Sequence, residues 1–284
     1  MIELLQRNWR YQLSSMIKEA NEEVFISSPY ATIEGANFIL NQISAGVKEK
    51  GKFIFLSNLS PQNITQGSTD PRAFEILRSN ISNFSLWHLP NLHAKVYVSD
   101  KRKAIVTSGN LTAGGLFNNF EYGIQVDSVE HSVKIYDDIF SYSQLGSNID
   151  KETLLAYISI SQEIKETYKK QQATATESVR SRFNELFRKA EDELVKERLN
   201  VGAVHNIFSK TIFYVLNKYG GMSTEQLHLY VQQIHPDLCD DSIDRVIDGK
   251  HYGKKWKHYV RNSQQHLKAK GLIELTNGNW HLTS

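Results

Sequence analysis

The chain has 284 residues, 40% of them hydrophobic, with a formal net charge of +2. It is long enough for two domains with separate cores, and it lacks the run of about 20 apolar residues that spans a bilayer. Glu3, Arg7 and Arg10 come too early for the apolar region of a signal peptide, and the single cysteine, Cys239, excludes an internal disulfide and a cysteine metal cluster. We therefore expect a soluble, cytoplasmic protein without a membrane partner, in which any nucleic-acid surface arises from local clustering of charge.

The first half of the chain alternates predicted helices and strands. Apolar residues at helical spacing predict helices, and short apolar runs predict strands between them. This alternation is typical of an α/β sandwich with a mixed, largely parallel central sheet. The polar stretch 58–70 is too long for a plain turn. It has two possible interpretations, a functional loop or a disordered excursion. The predicted helices are 4–20, 34–48 and 71–79, and the predicted strands are 24–28, 52–56, 84–87 and 122–126.

The segment from His93 to Gly123 holds an unusual set of polar residues. His93, Lys95 and Asp100 are spaced as H-x-K-x4-D, and Thr107-Ser108-Gly109-Asn110 follows after six residues, with Glu121 downstream. Apolar runs on either side of the turn 100–103 predict a hairpin of two strands. Alternation then places His93 and Lys95 on one strand face, with Ser108 and Asn110 nearby.

These residue types suit chemistry on a phosphodiester. A neutral imidazole such as that of His93 can attack phosphorus and form a covalent phosphohistidine. Lys95 and Asn110 can hold the non-bridging oxygens, and Glu121 can orient the imidazole. The alternative is a basic hairpin with a buried histidine and a solvated lysine.

The spacing H-x-K-x4-D, followed by a G-S-x-N-like element, resembles the phospholipase D superfamily. Thr107 stands where that family most often has glycine. This difference changes the space around the backbone beside the site, but it replaces no catalytic group. The resemblance covers roughly residues 1–150 and implies catalytic roles for His93, Lys95, Ser108, Asn110 and Glu121, a structural role for Asp100, and no metal or other cofactor. Members with one motif copy per chain form homodimers whose two copies make a single active site. The resemblance therefore implies that the partner histidine comes from a second subunit.

The middle of the chain is predicted to be helical. Residues 151–170 and 177–199 have helical patterns, and the polar stretch 171–176 is typical of a linker. The charged helix 177–199 is open to two interpretations, a spacer or an oligomer contact. We therefore predict three segments: a catalytic domain at 1–150, a helical linker at 151–200 and a third domain at 201–284.

The third segment has predicted helices over 204–218, 223–234 and 254–270. Gly271 then ends the last helix, and Asn277-Gly278 is a strong hairpin signal between two short apolar runs. Helices followed by a C-terminal hairpin resemble a winged-helix domain, and the stretch 256–283 resembles the winged helices of bacterial restriction-type endonucleases.

No acidic residue lies between Gly249 and Ile273, a window rich in lysine. This composition predicts a surface that contacts DNA phosphates, with Asn262, Gln264 and Gln265 as candidate readers of bases. The alternative is a solvated basic helix in a protein-binding winged helix. The predicted DNA-binding residues are Lys254, Lys255, Lys257, Arg261, Asn262, Gln265 and Lys268.

Together these features predict a metal-independent endonuclease that acts on DNA in bacterial restriction or phage defence, with a helicase or another defence subunit as a further candidate partner. Two other functions stay open. One is a transcriptional regulator with a phospholipase-D-like sensor domain, and the other is a phospholipase. The complete catalytic set argues against the regulator, and the lack of a basic amphipathic membrane helix argues against the phospholipase.

Overall fold

The computed structural model describes residues 1–173, 177–200 and 204–283. The chain divides into two compact units, Met1–Leu194 and Val195–Ser284. No helix in these described ranges is long and apolar enough to cross a membrane. The predicted boundary at 150 does not coincide with this division, because the helices that follow it pack into the first unit.

The first unit is built on one eight-stranded sheet. The strand order is β1-β7-β6-β5-β2-β3-β4-β8. The strands are β1 (Ile2–Leu5), β2 (Glu23–Ser27), β3 (Lys52–Ser57), β4 (Phe84–His88), β5 (Val96–Ser99), β6 (Lys103–Thr107), β7 (Gly123–Asp127) and β8 (Ser147–Ile149).

The sheet is mixed, as the sequence predicted, but parallel pairing is limited to its centre. Strand β3 pairs in parallel with both β2 and β4. The other pairings of the described strands are antiparallel: β1 with β7, β7 with β6, β6 with β5, β5 with β2, and β4 with β8. Parallel pairing is therefore less extensive than expected, because β5 enters the sheet antiparallel to β2 and the chain then turns back through a hairpin into β6.

Helices cover the sheet, and two of the predicted ones differ from the structure. The predicted helix 4–20 begins only at Arg10, since Ile2–Leu5 pairs with β7 as an edge strand. The predicted helix 34–48 is two helices, because the Ser44 side chain caps a new start at Ala45. The helices of this unit are α1 (Arg10–Glu19), α2 (Ile33–Gln42), α3 (Ala45–Glu49), α4 (Pro61–Thr65), α5 (Arg72–Asn80), a π-helix (Gly114–Asn118), α6 (Val129–Ser143), α7 (Lys151–Ala173) and α8 (Glu177–Asn200), which runs past the division.

Helix α7 belongs to the core rather than to a linker. Leu154, Tyr157 and Ile164 are fully buried in the same apolar cluster as the sheet residues Phe53 and Phe55. The Tyr157 hydroxyl also donates a hydrogen bond to the Leu59 carbonyl oxygen. The predicted linker 171–176 falls in part on residues 174–176, which lie outside the described residues.

From Val204 on, the described residues of the second unit form three helices around an apolar cluster of their own, which includes Phe208, Leu227, Trp256 and Trp280. A short bridge joins Met222, between the first two helices, to Trp280 in the final hairpin. A further hairpin that the sequence did not predict lies before the third helix, and its turn is Asp248-Gly249, both at positive φ. The elements are α9 (Val204–Tyr219), α10 (Thr224–Ile234), β9 (Asp244–Ile247), β10 (Lys250–Lys254), α11 (Lys255–Ala269), β11 (Ile273–Thr276) and β12 (Asn279–Leu282).

Candidate active site

The motif residues meet at one edge of the large sheet. Val96, the first residue of β5, pairs with Ser27 at the end of β2 and with Val106 near the end of β6. Thr107 at the end of β6 pairs in turn with Gly123, the first residue of β7. Antiparallel pairing therefore brings the segments before β5, after β6 and before β7 to one place.

His93 and Lys95 are in direct contact. The Lys95 Nζ lies 3.1 Å from the His93 Nδ1 and 3.0 Å from its Nε2, and it donates a 3.0 Å hydrogen bond to the His93 carbonyl oxygen. The His93 side chain is exposed, whereas Lys95 is only 8% exposed. Both residues precede β5 rather than lying on it as predicted, yet their side chains still meet.

The buried position of Lys95 changes its acidity. Loss of hydration lowers the pKa of the ammonium, and the negative charge of Glu121 acts in the opposite direction. An ammonium can donate a hydrogen bond to an imidazole only where a ring nitrogen carries a lone pair. Each neutral tautomer of histidine has one such nitrogen, and imidazolium has none. The pair therefore presents an exposed imidazole beside a buried cation, which suits attack on an anionic phosphodiester.

Ser108 and Glu121 form a second contact at the same edge. The Ser108 hydroxyl donates to one carboxylate oxygen of Glu121, and the Asn119 amide donates to the other at 3.1 Å. The backbone N–H of Tyr122 donates to the Ser108 Oγ at 3.0 Å. Among the described hydrogen bonds none joins Glu121 to His93, so its role in orienting the imidazole stays a prediction.

Asn110 lies beside the π-helix with its side-chain oxygen buried. The Oδ1 atom accepts no hydrogen bond from the described residues, which is costly for a buried polar atom. Gly115 of the π-helix packs against the Asn110 backbone so closely that a Cβ there would come within 2.4 Å of the carbonyl oxygen. The backbone of Asn110 is thus tightly held, and its side chain has unused capacity for a hydrogen bond.

Asp100 joins the motif to the rest of the sheet. Its carboxylate accepts hydrogen bonds from the backbone N–H groups of Asn21, Glu22 and Glu23 at 2.8–2.9 Å. Asp100 and Lys101 both have positive φ, in a tight turn that the Arg102 N–H closes by donating to the Ser99 carbonyl oxygen at 2.9 Å. These contacts hold the hairpin against the start of β2 and agree with a structural role for Asp100.

Two aromatic residues that the sequence did not single out support the site. Trp9 packs against Gly109, where a Cβ would come within 2.6 Å of the indole ring. The buried Tyr97 hydroxyl donates a 3.0 Å hydrogen bond to the Gly109 carbonyl oxygen, and its ring lies 5.2 Å from that of Trp9. No local signal in the sequence indicated that Trp9 and Gly109 would be in contact.

The second unit places most of the predicted DNA-binding residues on an exposed face of α11. Lys255, Arg261, Asn262, Gln265 and Lys268 are exposed. Arg261, Gln265 and Lys268 follow the spacing i, i+4 and i+7, which puts them on one side of the helix.

Three other residues of this helix region are less available. Lys254 forms a 2.8 Å ion pair with Asp244, which raises the pKa of its ammonium. Lys257 is half-buried with its Nζ 5.4 Å from the centre of the Trp256 ring. The prediction that Gln264 reads bases is wrong in this structure, because its side chain is 1% exposed and its Nε2 donates to the Thr224 hydroxyl.

Comparison with known proteins identifies the class of the first unit. Residues 13–143 match the family model described as the phospholipase-D-like domain of cardiolipin synthase. The match covers a little under half of the chain and contains every motif residue from His93 to Glu121. Residues 13–143 are therefore similar to a phospholipase-D-like domain. A search of curated proteins found no match.

Solved structures similar to this chain include the phospholipase D family member Nuc, NucT and a phosphatidylserine synthase. Nuc from Salmonella typhimurium is 15% identical with a TM-score of 0.44, over 52% of this chain and 97% of Nuc. NucT from Helicobacter pylori is 19% identical with a TM-score of 0.38, over 51% and 94%. Phosphatidylserine synthase from Haemophilus influenzae is 15% identical with a TM-score of 0.38, over 50% and 36%. Likeness at these levels assigns no activity to this chain.

Proposed function

We propose that the protein is a metal-independent phosphodiesterase that cleaves DNA through a phosphohistidine intermediate in bacterial restriction or phage defence. The observation that carries this proposal is the contact between the exposed His93 imidazole and the buried Lys95 ammonium, at 3.0–3.1 Å, within a phospholipase-D-like domain. Within the described residues no three His, Cys, Asp or Glu side chains form a group that could hold a metal ion. The proposed chemistry therefore uses side chains that this site contains.

In the first step a ring nitrogen of His93 attacks phosphorus. A P–N bond forms, the P–O bond to the leaving strand breaks, and the departing oxygen takes a proton from a general acid. Lys95 exchanges its contact with the imidazole for a non-bridging oxygen, which frees the attacking lone pair and neutralises charge as it develops. In this proposal the Asn110 side chain, whose Oδ1 accepts no hydrogen bond from the described residues, orients that Lys95–phosphate contact.

The general acid is the His93 of a second subunit in this proposal. The chain has one copy of the motif, and the two roles of nucleophile and acid need two imidazoles. In the second step the same partner imidazole takes a proton from water, the water oxygen attacks phosphorus, and the P–N bond breaks. A two-fold interface that brings the same edge of both sheets together supplies both groups from one gene.

The proposed DNA-binding element is the second unit as a winged helix. Three packed helices, a C-terminal hairpin and the Met222–Trp280 bridge support this assignment. Helix α11 follows α10 and exposes a basic face, as a recognition helix in the major groove does. Arg261 and Lys268 then contact phosphates, and Asn262 and Gln265 lie where base edges can be read.

We expect the double variant Arg261→Gln/Lys268→Gln to bind duplex DNA more weakly and with a flatter salt dependence. Removal of one cation that neutralises a phosphate lowers the slope of log K against log salt by about 0.9, so the pair lowers it by about 1.8. Fluorescence anisotropy with a labelled duplex over a salt series measures the slope. Lys134→Gln, an exposed lysine on α6, is the matched control. An unchanged slope would reassign this face to protein contacts.

The proposed function is tested by cleavage in the presence of chelator. Purified protein is incubated with plasmid and single-stranded DNA in EDTA, and products are followed by electrophoresis. We expect cleavage to persist, and rapid denaturation during turnover to trap an acid-labile phosphohistidine on His93. Loss of activity in EDTA that magnesium restores would contradict the mechanism.

A lipid phosphodiester shares this chemistry, and the matching family model is described for a lipid enzyme. Vesicles of phosphatidylglycerol incubated under the same conditions provide the comparison. Turnover of the lipid without any DNA cleavage would assign the same His93 chemistry to a membrane substrate. Binding of DNA with no cleavage of either substrate would instead favour a transcriptional regulator.

A further inference from the structure

Three large aromatic side chains are exposed next to the candidate active site. Phe120 is 84% exposed, Tyr122 is 56% exposed and Phe117 is 42% exposed. They follow one another within six residues, at the end of the π-helix and the start of β7. Clusters of exposed aromatic residues on a folded protein commonly mark a binding surface.

Two arginines lie over these rings: Arg7, in the turn before α1, and Arg10, the first residue of α1. The Arg7 guanidinium carbon is 4.6 Å from the centre of the Phe120 ring, and that of Arg10 is 5.5 Å from the centre of Phe117. Neither arginine forms an ion pair with a carboxylate in the described part of the chain. Arg10 already donates to the Asn8 side chain, the Tyr11 hydroxyl and the Leu116 carbonyl oxygen, which leaves part of its five N–H groups for a phosphate. Within the described residues no hydrogen bond engages the Arg7 guanidinium, and a guanidinium that lies over a ring can still donate to phosphate.

The two segments that carry this aromatic–arginine surface are held together. The Trp9 indole N–H donates a 2.7 Å hydrogen bond to the Gly115 carbonyl oxygen, and this contact is buried. Arg10 donates to the Leu116 carbonyl oxygen at 3.3 Å. These hydrogen bonds therefore hold the start of α1 against the π-helix, and the exposed rings extend from these two connected segments.

The surface is continuous with the site. Phe120 and Tyr122 are the chain neighbours of Glu121, which accepts a hydrogen bond from Ser108. The backbone of Tyr122 also exchanges hydrogen bonds with Ser108, through its N–H to the Oγ and through its carbonyl oxygen, which accepts from the Ser108 N–H at 2.9 Å. The segment that carries the rings therefore lies beside the Ser108–Glu121 contact of the site.

We propose that the aromatic–arginine surface binds single-stranded nucleic acid, with bases stacked on Phe120 and Tyr122 and phosphates held by Arg7 and Arg10. This inference rests on the proposed function and adds the strand form of its substrate. Exposed aromatic faces beside cations are the combination that single strands require, since every unstacked base has a free face. Bases within a duplex have both faces covered by their neighbours.

Charge argues that the aromatic–arginine surface lies beside the proposed two-fold contact at His93 and is not itself covered by the second copy of the chain. A two-fold contact through this surface would bring four guanidinium groups together. Glu121, the carboxylate beside them, already accepts hydrogen bonds from Ser108 and Asn119. Like charges placed together across an interface are unfavourable, whereas a phosphate backbone complements them.

The test compares substitutions of Phe120 in the full chain carrying His93→Ala, so that bound DNA is not cut. Phe120→Leu keeps an apolar side chain without a ring face, and Phe120→Trp enlarges the ring. Binding of labelled oligo-dT and of a duplex of equal length is measured by fluorescence anisotropy. Arg7→Ala tests the proposed phosphate contact. Arg102→Ala removes an exposed arginine in the turn between β5 and β6 and is the control for the loss of one positive charge.

We expect Phe120→Leu to weaken oligo-dT binding roughly 5- to 100-fold, with Phe120→Trp retaining it and duplex binding changed by less than about twofold. Arg7→Ala should weaken oligo-dT binding more than Arg102→Ala. Equal binding by the Phe, Leu and Trp proteins would overturn the inference. So would equal weakening for oligo-dT and duplex accompanied by a smaller sedimentation coefficient, which would show that a second copy covers the rings.

The wild-type chain separates this inference from the proposed function. If wild type cleaves DNA through His93 while all Phe120 variants bind oligo-dT equally, the proposed function is supported and the surface assignment is wrong. If the Phe120 series behaves as expected while wild type cleaves no DNA, the surface binds single strands in a protein without the proposed activity.

Discussion

An equal mixture of wild-type and His93→Ala subunits should retain about a quarter of the wild-type activity. In the composite site each dimer needs one imidazole as nucleophile and another as acid, so only dimers with two intact subunits are competent. Random assortment makes about one dimer in four fully wild-type. Groups that act as a unit are not additive in their effects, so a hybrid dimer should be nearly as inactive as the His93→Ala homodimer.

The mixture is prepared by unfolding and refolding the two proteins together, and initial cleavage rates are compared with those of separately refolded samples. His131→Ala, an exposed histidine on α6, is carried through the same protocol and should leave the mixture fully active. Retention of about one half would mean that each subunit works alone. A monomer in sedimentation at active concentrations would end the composite model.

Replacement of Lys95 by Met should lower kcat by about two to three orders of magnitude, the usual cost of removing one donor that stabilises developing charge. The Lys95 ammonium lies within 3.1 Å of both ring nitrogens of His93, so it is placed to meet the phosphate that the imidazole attacks. Met has a similar length and no charge to bury, so the fold should keep its thermal midpoint. Single-turnover cleavage and circular dichroism melts measure the two effects separately.

The same residue should set the alkaline limit of the wild-type pH profile. Burial lowers the pKa of Lys95 below that of an ordinary lysine, so the ammonium loses its proton, and activity falls, at a lower pH than solvated lysines would give. The profile of kcat/KM reports the free enzyme. Lys95→Arg keeps its charge at every accessible pH, so its reduced activity should lack this alkaline decline. An unchanged decline in that variant would assign it to another group.

Much of the first unit follows from short-range patterns. The hairpin 96–107 is encoded locally, because apolar runs flank a polar turn whose Asp100 tolerates positive φ. Asn277-Gly278 likewise encodes the final hairpin, since both residues adopt the positive φ that a tight turn needs. The Asp248-Gly249 signal was equally present, and it would have predicted the hairpin β9–β10.

The His93–Lys95 contact also has a local origin. The two residues are separated by one position, so a locally extended chain keeps their side chains within reach of each other. Ser108 and Glu121 are distant in sequence, and only the antiparallel pairing of β6 with β7 brings them into contact. Their residue types were readable from the sequence, whereas their hydrogen bond was not.

The sequence by itself determined the motif, the order of most helices and strands, and the basic character of α11. Tertiary structure decided what depends on distant partners. Ile2–Leu5 is a strand because it pairs with the edge of β7. Helix α7 is part of the core because its apolar residues pack in the same cluster as residues of the sheet. It also decided that Gln264 is buried against Thr224 while Gln265 is exposed. Local patterns record backbone preference and amphipathicity, but the burial of one side chain depends on which surface the fold brings against it.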